Sequence, residues 1–212
     1  MEKVLIVSVH PDDETIGMGG TILKLKDQNK KLFWLNITNG NEYQVGYIKP
    51  TAEFFGFKEV FNLGFPEITL SDECLRDIIP EIHSILKNIQ CDTIFLPNRS
   101  DIHTDHQISF KAVVSAAKNF RHNYIRKILM YETLSETEYA PALPENIFIP
   151  NVYSDISEYL ARKLEAVKIF ESEILGDQSP RSLKVIEALN RFRGSRIGVD
   201  YAETFMLLLD QI

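Results

Sequence analysis

Apolar residues along the chain fall into two alternating patterns, short unbroken runs and longer stretches in which they recur every third or fourth residue. KVLIVSV (3–9) is apolar on both faces and is predicted to be a central strand, followed by a helix over 17–29 (GMGGTILKLKDQN). KLFWLNIT (31–38) is a second strand, ending at Thr38-Asn39-Gly40; a loop with Tyr43 and Tyr47 leads to a short helix around 51–55. EVFNLG (59–64) is a third strand, and 72–89 carries helical spacing with Pro80 as a kink or break. DTIFLP (92–97) and KILMYET (127–133) are strands four and five, with a helix over 106–119 between them. The Pro- and Glu-rich stretch 135–151 is a loop or flap, after which VYSDIS, helices near 157–173 and 180–192, and YAETFMLLL complete the chain.

Strand–helix alternation of this kind implies an α/β fold: a mostly parallel sheet with helices on both faces, in a single domain spanning 1–212. The composition changes little in that picture. The 212 residues are 44% hydrophobic and 25% charged, without a low-complexity tract. A formal charge of −7 leaves no basic stripe for nucleic acid. The small basic clusters (Lys24, Lys26, Lys30, Lys31; Arg191, Arg193, Arg196) are expected to be solvated faces or local contacts. No apolar run approaches the roughly 18 residues of a membrane span, and no signal peptide precedes the first strand, so the expected location is cytoplasmic. Cys74 and Cys91, in no metal-like spacing, are expected to be reduced structural thiols. The C-terminal helices carry Phe and Leu that can pack on the sheet or on a second subunit, which leaves a homo-oligomer open.

The chemistry sits where hydrophobic strands end. The first strand runs into His10-Pro11-Asp12-Asp13-Glu14, and the fourth into Asp101-Ile102-His103-Thr104-Asp105-His106. Open α/β sheets bind ligands outside the carboxyl ends of their strands, at the switch point of strand order, and strands one and four are commonly neighbours there. Two imidazoles and a carboxylate with an open position form a usual catalytic zinc shell. His10, Asp13 and His106 can supply it, with Fe2+, Co2+ or Mn2+ as alternatives to Zn2+. Asp12 is then free to act as a base, His103 lies on the far side, and Asp105 is available to orient an imidazole or to cap the following helix. Gly17-Met18-Gly19-Gly20 lacks the G-x-G-x-x-G spacing and is expected to serve close helix–strand packing. His83 and His122 have no carboxylate-rich surroundings in sequence and are expected to be surface or core residues.

On these residues the chain resembles the PIG-L / LmbE-like zinc-dependent N-deacetylases of N-acetylglucosaminyl conjugates. The resemblance rests on VLIVSVHPDDE, on His103-Thr104-Asp105-His106, and on the tail DISEYLARKLEAVKIFES, Arg193-Gly194 and Tyr201-Ala202-Glu203-Thr204-Phe205. It implies a Rossmann-like sheet and a hydrolase that releases acetate from an amino sugar. It also implies zinc on His10, Asp13 and His106, Asp12 as general base, and His103 as oxyanion stabiliser or proton donor held, and kept charged, by Asp105. The chain departs from the family where an Arg-x-x-Glu segment would open the second helix: Gly46-Tyr47-Ile48-Lys49-Pro50 stands there instead. Tyr47 or Lys49 is the expected substitute, and Asn39, Gly40 and Asn41 are expected sugar contacts. The rival readings are a non-catalytic sugar- or nucleotide-binding α/β module and a phosphoryl-receiver domain. The latter needs an aspartate after strand three and a lysine after strand five, where Asn62-Leu63-Gly64 and Glu132-Thr133 stand.

Overall fold

A computed structural model describes residues 1–39 and 42–212, apart from the side chains of 42–44. The strands are β1 (Lys3–Ser8), β2 (Lys31–Thr38), β3 (Glu59–Phe65), β4 (Thr93–Pro97), β5 (Lys127–Tyr131), β6 (Val152–Asp155) and β7 (Ala202–Asp210). The helices among the described residues are α1 (Asp13–Asp27), α2 (Glu42–Phe55), α3 (Leu75–Ile89), α4 (Thr104–Ala116), α5 (Leu160–Val167) and α6 (Leu183–Ser195).

The seven strands form one sheet in the order β3-β2-β1-β4-β5-β7-β6. The first five are parallel; β7 runs antiparallel to both β5 and β6. The order reverses direction between β1 and β4, so the crevice beyond Ser8 and Pro97 is the switch point expected from sequence. The unbroken apolar runs of β1 and β4 are buried along almost their whole length because helices cover both faces. One core lies under α3 and α4 (Leu5, Val7, Ile78, Ile82, Leu96, Ala112), the other under α1 and α2 (Val4, Ile6, Ile22, Trp34, Phe55, Phe205).

Helix α1 is two helical segments joined at Met18, whose φ of −145° and ψ of 20° leave the helical region. The glycines flanking the break explain it. A Cβ on Gly17 would lie 2.4 Å from Tyr131 Cδ2, and one on Gly20 would lie 2.9 Å from three atoms of Ile156. The GMGG stretch is therefore a packing device. The break frees the Gly20 and Thr21 N–H groups at the start of the second segment, and both donate to the Glu203 carboxylate, at 2.9 and 2.6 Å. Glu203 is itself paired at 2.7 Å with the buried Lys163, whose ammonium also donates to Asn190 Oδ1.

The second helix differs from expectation. It begins at Glu42 rather than near residue 51, so Tyr47, expected in a loop, is helical, and Pro50 lies inside the element. Pro80 likewise lies inside α3. The 135–151 stretch holds no element beyond a 3-10 turn over Pro144–Asn146, as a flap would, and Arg99 ties it to the loop after β4 by donating to the Glu145 carbonyl. Both cysteines are free, Cys91 being buried. No helix among the described residues is long and apolar enough to cross a membrane.

Candidate active site

The chain leaves β1 through a tight turn in which the Asp12 and Asp13 amides both bond the His10 carbonyl. Asp13 then folds back, and its Oδ2 accepts from the Val9 and His10 amides, each at 2.9 Å. That fixes the carboxylate and leaves Oδ1 buried without a hydrogen-bond partner. From the neighbouring strand, the loop after β4 and the first turn of α4 deliver His106. Its Nδ1 meets Asp101 Oδ2 at 2.8 Å, and its Nε2 stands 3.4 Å from Asp13 Oδ2. Asp101 Oδ1 accepts from Asn98 Nδ2 and Thr137 Oγ1, so the aspartate has one orientation. The Asp101 contact favours a proton on Nδ1, so in the neutral ring the lone pair of His106 lies on Nε2, an atom that is buried and unpartnered.

His10 completes the cluster, with Nδ1 3.9 Å from Asp13 Oδ2 and Nε2 3.7 Å from Asp105 Oδ2. Ligand atoms of His10, Asp13 and His106 all lie within 4.8 Å of one another, and all three residues are buried. His10 Nε2, Asp13 Oδ1 and His106 Nε2 have no hydrogen-bond partner. Orphaned buried donors and acceptors are costly, and two imidazoles with a carboxylate are the donor set a divalent ion takes. The residues therefore fit a metal. A second set, His10, Glu67 and His103, also brings ligand atoms within 4.8 Å, but its Glu67 side chain is 31% exposed.

The electrostatics follow from burial and crowding. Burial raises the Asp12 carboxyl to about 6 against the pull of the Arg181 guanidinium. Burial would raise Asp13 as well, but His106 and His10 outweigh it and hold Asp13 below the usual carboxylate range. Burial opposes the charge on His106, yet Asp13 and Asp101 lift it to about 9. Glu14, wholly buried and bonded by the Thr15 hydroxyl, is pushed up to about 8 by desolvation.

Two expectations are corrected here. His103 is not held by the Asp105 carboxylate, which is 4.0 Å away and accepts instead from the Ile68 and Leu70 amides. It is the Asp105 backbone N–H that donates to His103 Nδ1, at 3.1 Å, and His103, not Asp105, is the N-cap of α4. Nor is the charged form of His103 favoured: burial, with His10 and His106 close by, lowers it to about 4. A ring whose Nδ1 accepts carries its proton on Nε2, so His103 faces the site as a neutral donor. The residue that orients an imidazole is Asp101, on His106.

Three further residues come into the site unannounced by the sequence. Arg181 donates from Nη1 to Asp12 Oδ2 at 2.8 Å, and Glu173 and Glu136 flank the same guanidinium. No motif marks them; they lie in loops far from the two clusters in sequence. Of the expected substrate contacts, Asn39 stands at the end of β2, where its Oδ1 accepts from Asn62 Nδ2 at 2.6 Å. Gly40 and Asn41 lie outside the described residues. Tyr47 packs edge-on against Phe170, and Lys49 points to solvent beside Glu53; no hydrogen bond or ion pair among the described residues ties either to the cluster. His83 and His122 bond each other at 2.8 Å between α3 and the turn after α4, and His122 is buried.

The chain is similar to known proteins in sequence and in fold. The family model described as PIG-L: GlcNAc-PI de-N-acetylase matches residues 5–117, just over half of the chain's 212 residues. A diacetylchitobiose deacetylase of Thermococcus kodakarensis is 26% identical over 225 residues, covering 96% of this chain and 82% of that one. A probable N-acetyl-alpha-D-glucosaminyl L-malate deacetylase 2 of Bacillus cereus is 29% identical over 193 residues, covering 82% and 84%. In fold, the conserved protein TT1542 of Thermus thermophilus matches with a TM-score of 0.80 at 24% identity, over 100% of this chain and 97% of that one. The N,N'-diacetylchitobiose deacetylase of Pyrococcus horikoshii matches at 0.77 and 24%, over 98% and 84%. With both His/Asp clusters inside the matched region and brought to one crevice by the sheet order, the chain belongs to the PIG-L family and is a deacetylase.

Proposed function

We propose that the enzyme removes the N-acetyl group from an N-acetylglucosamine-type conjugate, with a zinc ion held by His10, Asp13 and His106. One observation carries the reading: ligand atoms of His10, Asp13 and His106 lie within 4.8 Å of one another, and each of these buried side chains has an atom without a hydrogen-bond partner. The Thermococcus and Bacillus relatives, named for diacetylchitobiose and for a glucosaminyl malate, support an amino sugar as the acyl carrier.

A divalent ion, which His10, Asp13 and His106 would hold, would supply Lewis acidity, polarising an acyl carbonyl and lowering the pKa of a water from about 15.7 toward roughly 7. Asp12 Oδ1 takes the proton of that water as its oxygen bonds to the acyl carbon. His103 Nε2–H donates to the oxyanion that forms, held in place by the Asp105 amide on its other nitrogen. The C–N bond then breaks, and Asp12 returns its proton to the leaving amine, giving acetate and a free amino sugar.

The test is acetate release from N-acetylglucosamine, its malate and inositol conjugates, diacetylchitobiose and its UDP form. Release from one member by zinc-loaded protein, abolished by chelation, is the expected result; none from any member at full metal occupancy sinks the amino-sugar reading. His103→Ala should keep its metal and lose roughly 10²–10³ in kcat, the scale of one oxyanion donor; an unchanged kcat would remove His103 from the mechanism. Asp101→Ala frees the His106 ring to turn and should weaken metal affinity by about 10–100-fold, read by competition with a chromogenic chelator.

A further inference from the structure

Among the described residues one guanidinium bonds Asp12, and it arrives from the loop between α5 and α6. Pro180 precedes it and Ser182 follows as the N-cap of α6, its Oγ accepting from the Val185 amide and donating to the Asp177 carbonyl. Arg181 therefore projects from the fixed end of a helix. Its side chain is committed throughout. Nε donates to Ser135 Oγ at 2.7 Å, Nη1 to Asp12 Oδ2 at 2.8 Å and Glu173 Oε2 at 3.2 Å, and Nη2 to Glu136 Oε1 at 3.4 Å. Every nitrogen has a protein partner, and the side chain is only 17% exposed. That is poor design for grasping a substrate and good design for holding something still.

What it holds is Asp12. One oxygen of that carboxylate is bonded by Arg181 and the other, Oδ1, is buried and unpartnered. We propose that Arg181 is the positioning residue of Asp12, pinning Oδ2 so that Oδ1 alone is presented to the reacting water. The inference rests on the reading of Asp12 as base. The guanidinium suits the task because its planar fork meets Ser135, Glu136, Glu173 and Asp12 in fixed directions. An ammonium, a single point of charge on a flexible stem, does not reproduce that set. Arg181 thereby ties the flap after β5 and the loop before α6 to the first turn of α1.

A double-mutant cycle on whichever panel member is turned over tests it. Arg181→Gln should retain its metal, keep KM within about twofold and lose on the order of 10² in kcat, the scale of a small misplacement. Arg181→Lys should recover part of that loss. In an Asp12→Asn background the same Arg181→Gln change should alter kcat by less than about twofold. An equal loss in both backgrounds, or a raised KM at constant kcat, overturns the proposal and gives the arginine to the fold or the substrate. If Asp12→Asn runs at the wild-type rate, the base assignment fails first, and the single variant shows it. If Asp12→Asn is inactive while Arg181→Gln runs at the wild-type rate, positioning alone fails. Thermal unfolding of the metal-free proteins repeats the cycle without turnover. Arg181→Gln should lower Tm more with Asp12 present than with asparagine there, and equal lowering counts against the contact.

Discussion

Asp12→Asn should bind one metal per chain and lose about 10²–10⁴ of kcat, the range for removing a positioned acid–base group. The substitution is nearly isosteric and leaves Asp13, His10 and His106 untouched, so metal content measured by atomic emission should match the wild type. The amide oxygen can still accept from Arg181 in place of Oδ2, which turns the NH2 toward the position of Oδ1. The group facing the water then has no basicity, while the cavity keeps its shape, so KM should hardly move. Burial already lifts Asp12 to about 6, closer to neutrality than an exposed aspartate and thus better matched to a proton-transfer task at physiological pH. A rate within tenfold of wild type at full metal occupancy would show that another group takes the proton.

Glu203→Ala should cost about 3–5 kcal/mol, the range for breaking a buried ion pair from one side. Lys163 and Glu203 are 1% and 0% exposed, 2.7 Å apart. Truncation leaves a buried ammonium with Asn190 as its remaining partner and strips the Gly20 and Thr21 amides of their acceptor. For a chain of this size the loss corresponds to a fall in Tm of roughly 6–20 °C. The surface pair Lys111–Asp72, with side chains 53% and 72% exposed, is the control. Asp72→Asn should shift Tm by no more than a few degrees, since exposed pairs contribute little. Circular dichroism melts of the two variants decide it: equal shifts would mean that the Glu203 contact adds no more than a surface pair. The same variant should lower metal affinity, because α1 carries Asp13 in its first turn and loses its anchor to β7.

The sheet and the convergence of the two His/Asp clusters were legible because they are written locally. A strand buried on both faces advertises itself as an unbroken apolar run, and His10, Asp13 and His106 stand at the ends of two such runs, where parallel sheets collect their ligands. What was hidden is what long-range pairing decides. Nothing in AETFMLLLD says that it inserts between β5 and β6 and runs antiparallel. A lone Arg181 in a loop has no periodicity to read, and its partner lies 169 positions away. Asp101 and Asp105 are near-equivalent on paper; only the turn geometry sends one carboxylate to His106 and the other to the Ile68 and Leu70 amides. The first half of α2 was missed for a different reason: Pro50 stands inside it, and a prolyl ring there runs against local preference and is tolerated by the surrounding fold.

The position of β7 sets an order of events during synthesis. All three expected metal ligands have been made once His106 leaves the ribosome, whereas Glu203 follows about a hundred residues later, some 5–20 s at roughly 5–20 residues per second. From the synthesis of β5 until that of β7, β5 has an open edge, the kind of template on which nascent chains pair wrongly, and throughout the interval α1 lacks the carboxylate that caps its second segment. The shelf beneath the site is thus locked by residues translated long after His10, Asp13 and His106, and a chain cut short before β7 would carry these three side chains without the carboxylate that anchors α1.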